Sequence, residues 1–234
     1  MESNMDKKIY AVFVAGGSGV RMGSATPKQF LDLAGKPVLL RTVERFVEAI
    51  ENINIIVVLP KAHFDTWRKI CLAADFHYPQ VLVGGGITRF HSVQNALERV
   101  PDGAAVLIHD GVRPMASPYL INRCAELAGE GKCVIPVTAV TDTLKSLVPS
   151  EVEGEWKESG LPAPDRGTLF GAQTPQAFPS EVLKRAYRCA YQVSFTDDAS
   201  VASYNKIPLT YIQGERYNIK ITTPEDLEFL RKVY

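Results

Sequence analysis

The sequence predicts a three-layer α/β fold on a mostly parallel sheet with a protruding β-arm. Three observations carry that expectation. Apolar runs of strand length alternate with amphipathic helical stripes over the first 140 residues, as right-handed βαβ crossovers require. The runs are near-continuous, residues 53–59 most of all, which suits parallel strands covered on both faces. Polar stretches follow the first, third and fourth runs, at the sheet edge where such folds bind ligands.

The elements follow in order. Residues 1–6 are polar and expected to fray. Residues 9–15 have the β-branched and aromatic richness of a buried strand. Pro37 opens a helix in which Val38, Leu39, Val43, Phe46, Val47 and Ile50 form a stripe of helical period. A strand at 53–59, a helix at about 62–74 and a short strand at 81–83 come next. A helix at 90–100, a strand at 105–108, a helix at 118–128 and a strand at 133–140 complete the regular part.

The pattern breaks between 141 and 164. Two short alternating runs flank the charged turn 151–158, which reads as a β-hairpin arm. Its apolar residues, Leu144, Leu147, Val148 and Leu161, have no obvious partner in the main core, so a second subunit is their natural place. The chain returns with a helix at 180–191 and a short helix that starts near Thr196 or Asp197 as N-cap. A strand is expected at 217–221, then a helix opened by Thr223-Pro224-Glu225-Asp226. The 234 residues suit one domain, 1–234, with the arm at about 141–164.

Bulk properties exclude several classes. Lys plus Arg and Asp plus Glu are 26 each, so no global charge draws the chain to nucleic acid or an acidic membrane. Cys71, Cys124, Cys133 and Cys189 form no C-x-x-C pair, which points to reduced, buried thiols. His63, His77, His91 and His109 are scattered, against a metal cluster. No signal peptide pattern or spanning apolar run occurs, and a soluble, cytoplasmic protein is expected.

The chemistry centres on Ala15-Gly16-Gly17-Ser18-Gly19-Val20-Arg21-Met22-Gly23 with Pro27-Lys28-Gln29 after it. Glycines at 16, 17, 19 and 23 permit positive φ and keep Cβ atoms away from a ligand. Successive N–H groups in such a turn form a nest for phosphate oxygens, and Arg21 and Lys28 add two cations. The stretch is no Walker A loop, which ends G-K-[ST]. Nor is it a dinucleotide fingerprint. Met22 stands where the third glycine belongs, and no carboxylate follows Leu59 as a nicotinamide enzyme would need. A non-catalytic nucleotide binder is distinguished by tolerating loss of Lys28. Lys220, between Ile219 and Ile221, either faces solvent or turns into the phosphate site.

These residues resemble the 2-C-methyl-D-erythritol 4-phosphate cytidylyltransferase family over nearly the whole chain. The resemblance rests on A-G-G-S-G-V-R-M with P-K-Q, H-D-G-V-R-P, T-D-T-L-K, D-R-G-T-L-F-G-A-Q-T-P-Q, T-D-D-A-S and N-I-K-I-T-T-P-E-D-L. Several of these also resemble the D-ribitol-5-phosphate cytidylyltransferases, which stand as the alternative. D-R-x-x-L-F, Q-T-P-Q and T-D-D-A-S favour the methylerythritol branch.

The resemblance implies a Rossmann-like nucleotidyltransferase sheet and transfer of CMP from CTP to methylerythritol phosphate, in non-mevalonate isoprenoid biosynthesis. It implies a homodimer, and Mg2+ bound mainly through the CTP phosphates with no dedicated protein ligands; Asp110 is at most a contributor. Ala15, Gly16, Gly17 and Gly19 would cradle CTP, and Arg21, Lys28 and Lys220 would act on its phosphates as the catalytic residues. Gly86, Arg89 and Ser92 would lie near the base. Asp110, Arg113, Thr174 and Thr196 would line the alditol phosphate pocket, joined by Thr143 and Arg166 from a partner's arm. The chain departs from the family at Gly16 and at Gly111-Val112, where alanines are common, and at Ile87, and its arm is long.

Overall fold

Alternation along the strands decides the layers. In β1 (Ile9–Val14), Ala11 and Phe13 join one apolar cluster while Val12 joins another, as the two-residue period of a strand dictates. β4 (Asn54–Leu59) does the same with Ile55, Val57 and Leu59 against Ile56 and Val58. The first cluster is closed by α1 (Val38–Ala49), α2 (Phe64–Ala73) and α4 (Pro118–Gly129). The second is closed by α3 (Arg89–Leu97), α5 (Ser180–Ala186) and α6 (Asp198–Tyr204). The result is the expected helix–sheet–helix sandwich. The computed structural model describes residues 7–17 and 26–234, so the stretch expected to fray, 1–6, lies outside it.

The remaining strands are β5 (Gln80–Gly84), β6 (Ala105–Asp110), β7 (Val134–Ala139), β10 (Phe170–Ala172), β11 (Gln176–Pro179) and β12 (Thr210–Gln213). They form one sheet with β1 and β4 in the order β10-β7-β11-β6-β1-β4-β5, with β12 paired to β7. All pairings are parallel except those of β10 and β11. Two two-residue strands, β2 (Asp32–Leu33) and β3 (Lys36–Pro37), pair ahead of α1. The arm is a hairpin of β8 (Leu147–Pro149) and β9 (Trp156–Glu158), as the sequence predicts.

Helix starts carry their expected caps. Thr223 and Asp226 form a capping box at α7 (Pro224–Val233), Ser117 caps α4 ahead of Pro118, and Asp197 rather than Thr196 caps α6. Two expectations fail, and one strand was not foreseen. The strand expected at 217–221 is absent; Asn218 N–H closes a turn on the Glu215 carbonyl, and the side chains of Asn218 and Lys220 turn to other partners described below. The strand near that position is β12. The helix expected at 180–191 stops at Ala186, whose carbonyl takes the Asn205 amide at 3.1 Å. Finally, β11 is a buried antiparallel strand between β6 and β7, a place that its four residues do not advertise.

The turn from β5 into α3 requires a bare backbone at Gly86. A Cβ there would sit 2.4 Å from His91 Cβ and 2.9 Å from the His91 carbonyl carbon. Around Gly16, by contrast, no atom of the described residues beyond its chain neighbours lies within 4 Å of where a Cβ would be. Gly86→Ala should therefore cost about 1–3 kcal/mol by overpacking, whereas Gly16→Ala should stay within about 0.5 kcal/mol. Urea unfolding of the two variants checks this, and equal stability would contradict the packing at Gly86.

Candidate active site

Strand register brings the polar loops to one edge. Val14 of β1 is level with Val58 of β4 and Asp110 of β6, and Leu59 is level with Gly84 of β5. The loops that follow β1, β5 and β6, with Lys220 from the C-terminal segment, enclose a cleft of about 300 Å³. Gly16, Gly17, Lys28, Gly86, Arg89, Ser92, Asp110 and Lys220 all line it. Eight of the predicted residues thus share one wall. A larger hollow of about 1080 Å³ lies between β7, β10, β12 and α6, and none of the predicted residues lines it. That hollow is mainly apolar, so the chemistry, not the volume, identifies the site.

The first loop is held from behind. Ala15 N–H donates to the Val58 carbonyl at 3.0 Å, and the buried Gln29 amide donates to the Ala15 carbonyl at 2.8 Å. Gln29 is what the P-K-Q segment contributes mechanically. Gly16 and Gly17 do not use the positive φ that glycine permits; both line the cleft without side chains. Lys28 reaches across and donates to the Ile221 carbonyl at 3.0 Å, next to Lys220. The two lysines expected to converge are thus brought together. Gly19, Arg21 and Gly23 lie outside the described residues.

Asp110 is the electrostatic centre. Its Oδ2 is 3.1 Å from both Arg113 Nε and Lys220 Nζ, and its Oδ1 is 4.0 Å from Arg89 Nε. Burial alone would raise its pKa, but Lys220, Arg89 and Arg113 together outweigh that and hold the carboxyl well below its usual range. Arg89 is gripped more tightly by Asp198, at 2.6 Å, than by Asp110. Asp198 is fully buried and also accepts the Tyr187 hydroxyl at 2.5 Å. Sequence reasoning quoted the T-D-D-A-S segment without seeing that its second aspartate anchors Arg89. Arg89, Arg113 and Lys220 thus surround Asp110, and Lys28 lines the same cleft as Arg89 and Lys220.

Arg113 also donates to the Asn218 carbonyl at 2.7 Å, which ties the fourth loop to the C-terminal segment. The Thr174 hydroxyl accepts the Asp110 N–H at 3.1 Å, so it stands directly behind the carboxylate. Asn218 donates its amide to the Thr174 carbonyl at 2.8 Å; its Oδ1 is buried with no partner among the described residues. Thr196 is exposed, two residues before Asp198, and its N–H donates to Ser200 Oγ at 3.1 Å. Thr143 and Arg166 stay apart from the cleft of their own chain. Both are exposed at the base of the arm, where Arg166 donates to the Thr141 carbonyl at 2.9 Å. Ser92 is spent internally, accepting from Gly86 N–H at 3.1 Å and donating to the Thr88 carbonyl at 3.0 Å.

Other reactive groups are quiet. Burial pushes the Cys124 thiol up to about 12 and Cys133 up to about 11, and all four cysteines are free. Among the described residues no cluster of three His, Cys, Asp or Glu could hold a metal. No described helix is long and apolar enough to cross a membrane.

Known proteins resemble the chain in sequence and in fold. A model of the IspD family, 2-C-methyl-D-erythritol 4-phosphate cytidylyltransferase, matches residues 9–232. The proteins of that name from Bacteroides fragilis and Porphyromonas gingivalis are 46% and 43% identical to the chain; the matches cover 93% and 97% of it, and 95% and 98% of the relatives. A crystal structure of 4-diphosphocytidyl-2C-methyl-D-erythritol synthase from Anaerococcus prevotii superposes with a TM-score of 0.77 at 29% identity, covering 100% of this chain and 99% of that one. The Francisella tularensis enzyme gives 0.77 at 26%, covering 97% and 100%. These matches favour methylerythritol phosphate over ribitol phosphate. With its loops, register and charge arranged as described, the chain belongs to the 2-C-methyl-D-erythritol 4-phosphate cytidylyltransferase family.

Proposed function

We propose that this cleft binds CTP and 2-C-methyl-D-erythritol 4-phosphate and joins them, releasing pyrophosphate, as a step of non-mevalonate isoprenoid biosynthesis. One observation carries the reading: four cations from four chain segments meet at the ends of parallel strands, beside loops that leave open space. A triphosphate and a phosphate monoester are the anions that such a site would neutralise.

The reaction is an in-line displacement. A phosphate oxygen of the alditol phosphate bonds to the α-phosphorus of CTP as the bond to the bridging oxygen breaks, and pyrophosphate leaves with that electron pair. Positioning and charge neutralisation then do most of the catalysis. Lys28 and Lys220 are assigned to the α-phosphate and Arg21 to the phosphate chain, with Ala15, Gly16, Gly17 and Gly19 against the nucleotide. Gly86, Arg89 and Ser92 form the base side. Ser92 supports it by holding Gly86, and Arg89 by its pair with Asp198. Asp110, Arg113, Thr174 and Thr196 are assigned to the alditol phosphate.

Magnesium would be carried by the triphosphate. Asp110 is engaged by three cations and makes a poor metal ligand, so no step is routed through a protein-bound ion. We read residues 1–234 as one domain that works in the cytoplasm as a homodimer. The arm supports the dimer: Leu147, Trp156 and Leu161 are 45%, 65% and 71% exposed on it. Thr143 and Arg166, remote from their own cleft, would complete the neighbour's.

Pyrophosphate release from CTP with methylerythritol phosphate, and its absence with ribitol phosphate, tests the activity. If Lys28 stabilises charge that develops in the transition state, Lys28→Ala should lower kcat by roughly 10²–10³ with a much smaller loss of CTP affinity. Lys220→Ala should behave alike. Near-normal turnover without Lys28 would instead overturn its assignment to the reacting phosphate.

The arm is tested by mixing two inactive variants, Lys28→Ala and Arg166→Ala. In a two-fold dimer one composite site inherits both lesions and the other inherits neither. Random reassortment makes about half the dimers mixed, so roughly a quarter of all sites should recover. No recovery after confirmed subunit exchange would mean that the arm serves its own chain.

A further inference from the structure

His109 lies at the end of β6, fully buried, and the reaction proposed above gives it no task. Its ring packs against Phe13 and Phe46, with centroids 6.0 and 4.7 Å away. Both ring nitrogens are nonetheless engaged. Nε2 is 3.1 Å from the Arg113 carbonyl oxygen, which can only accept, so Nε2 carries a proton. Nδ1 is 2.9 Å from Thr174 Oγ1. Burial lowers the imidazole pKa to about 4, which leaves the ring neutral at pH 7 with a lone pair on Nδ1. The Thr174 hydroxyl therefore donates its single proton to His109.

The same oxygen already accepts the Asp110 N–H at 3.1 Å. A hydroxyl has one proton and two lone pairs, so a single lone pair remains for a ligand. Thr174 can meet a substrate only as an acceptor. Asn218 Oδ1, which has no partner among the described residues and lies on the residue that holds the Thr174 carbonyl, is a second acceptor in the same region.

We infer that His109 is a positioning residue: its two ring nitrogens fix the Thr174 hydroxyl as an acceptor behind Asp110 and hold the Arg113 turn, so that the pocket proposed for the alditol phosphate selects a hydroxyl donor of the polyol chain. The inference deepens the reading above and rests on its assignment of the alditol phosphate to Asp110, Arg113 and Thr174. Sequence reasoning set His109 aside because the histidines are scattered; its place immediately before Asp110 at a strand end was the available signal.

Three variants separate the two nitrogens. His109→Phe removes both bonds, His109→Asn keeps an acceptor near the Nδ1 position, and His109→Gln keeps a donor near Nε2. Losing one buried hydrogen bond to the substrate pocket should raise KM for methylerythritol phosphate about tenfold in His109→Phe, with KM for CTP within about twofold. His109→Asn should stay closer to the parent than His109→Gln. In a Thr174→Val background, His109→Phe should add no more than about twofold, because its target is gone. Equal rises in both KM values, full additivity, or Gln outperforming Asn would overturn the inference.

A readout independent of turnover uses 15N-histidine NMR at pH 7, with His109 identified by the signals lost in His109→Asn. A neutral Nε2–H tautomer is expected, and an imidazolium or an Nδ1–H tautomer would overturn the inference even if His109→Phe did not fold. Failure of the unaltered protein to release pyrophosphate would instead remove the proposed function, and the tautomer would still decide whether Thr174 is held as an acceptor.

Discussion

The Asp110 carboxylate is the point on which the site depends. Arg89, Arg113 and Lys220 come from three segments of the chain and would repel one another if placed together without it. One buried anion among them fixes all three and still leaves the cluster positive. The ionised state is secured by the same contacts, since the cations outweigh the penalty of burial. From there the network runs on through Arg89 to Asp198 and the Tyr187 hydroxyl, on the far side of the sheet edge. Lys220 is only half shielded, at 42% side-chain exposure, and an arriving phosphate would compete with Asp110 for it. The pair stores the lysine near its place of use rather than locking it away.

Much of what looks chemical in the motifs is mechanical. Gln173 grips residue 215 in both directions, accepting its N–H at 3.0 Å and donating to its carbonyl at 2.7 Å. Gln176 does the same for the start of α6, donating to Asp197 and accepting from Ala199, each at 2.8 Å. Together with Gln29 these amides satisfy backbone groups that loops at a sheet edge would otherwise leave buried and unpaired. Thr174 sits between the two clamps, so its position is set before any ligand arrives.

The parts of this design that depend on periodicity were legible in the sequence. The strands β1, β4, β5 and β6 and the helices between them follow from apolar period, and the convergence of their loops follows from parallel topology. The hairpin in the arm was readable from two short runs around a charged turn. What resisted reading depends on long-range partners. The segment at 217–221 alternates like a strand, yet instead of a ladder it has one backbone bond to β6's following loop among the described residues, Ile221 N–H to the Val112 carbonyl at 3.0 Å, while Asn218 and Lys220 serve the site. The glycines at 16 and 17 were read for both backbone freedom and lack of bulk, and neither takes a positive φ. Asp198 and His109 became visible only once Arg89 and Thr174 had been located in space.

The cleft wall is also informative for what its groups can do with protons. Its described titratable residues are Lys28, Arg89, Asp110 and Lys220. Asp110 is held as a carboxylate by cations and is a weak base for that reason. His109, close behind, is neutral, but its lone pair is occupied by Thr174 and its other nitrogen by a carbonyl. None of these described groups is poised to strip a proton from an alcohol. A nucleophile that suits them must arrive already ionised, as a phosphate monoester does near neutral pH. An acceptor bearing only hydroxyl groups would lack both the charge to be gathered by the cations and a base to activate it. The electrostatics therefore favour a phosphorylated acceptor independently of the family resemblance, and they make charge neutralisation, not proton transfer, the main contribution of this chain's own residues.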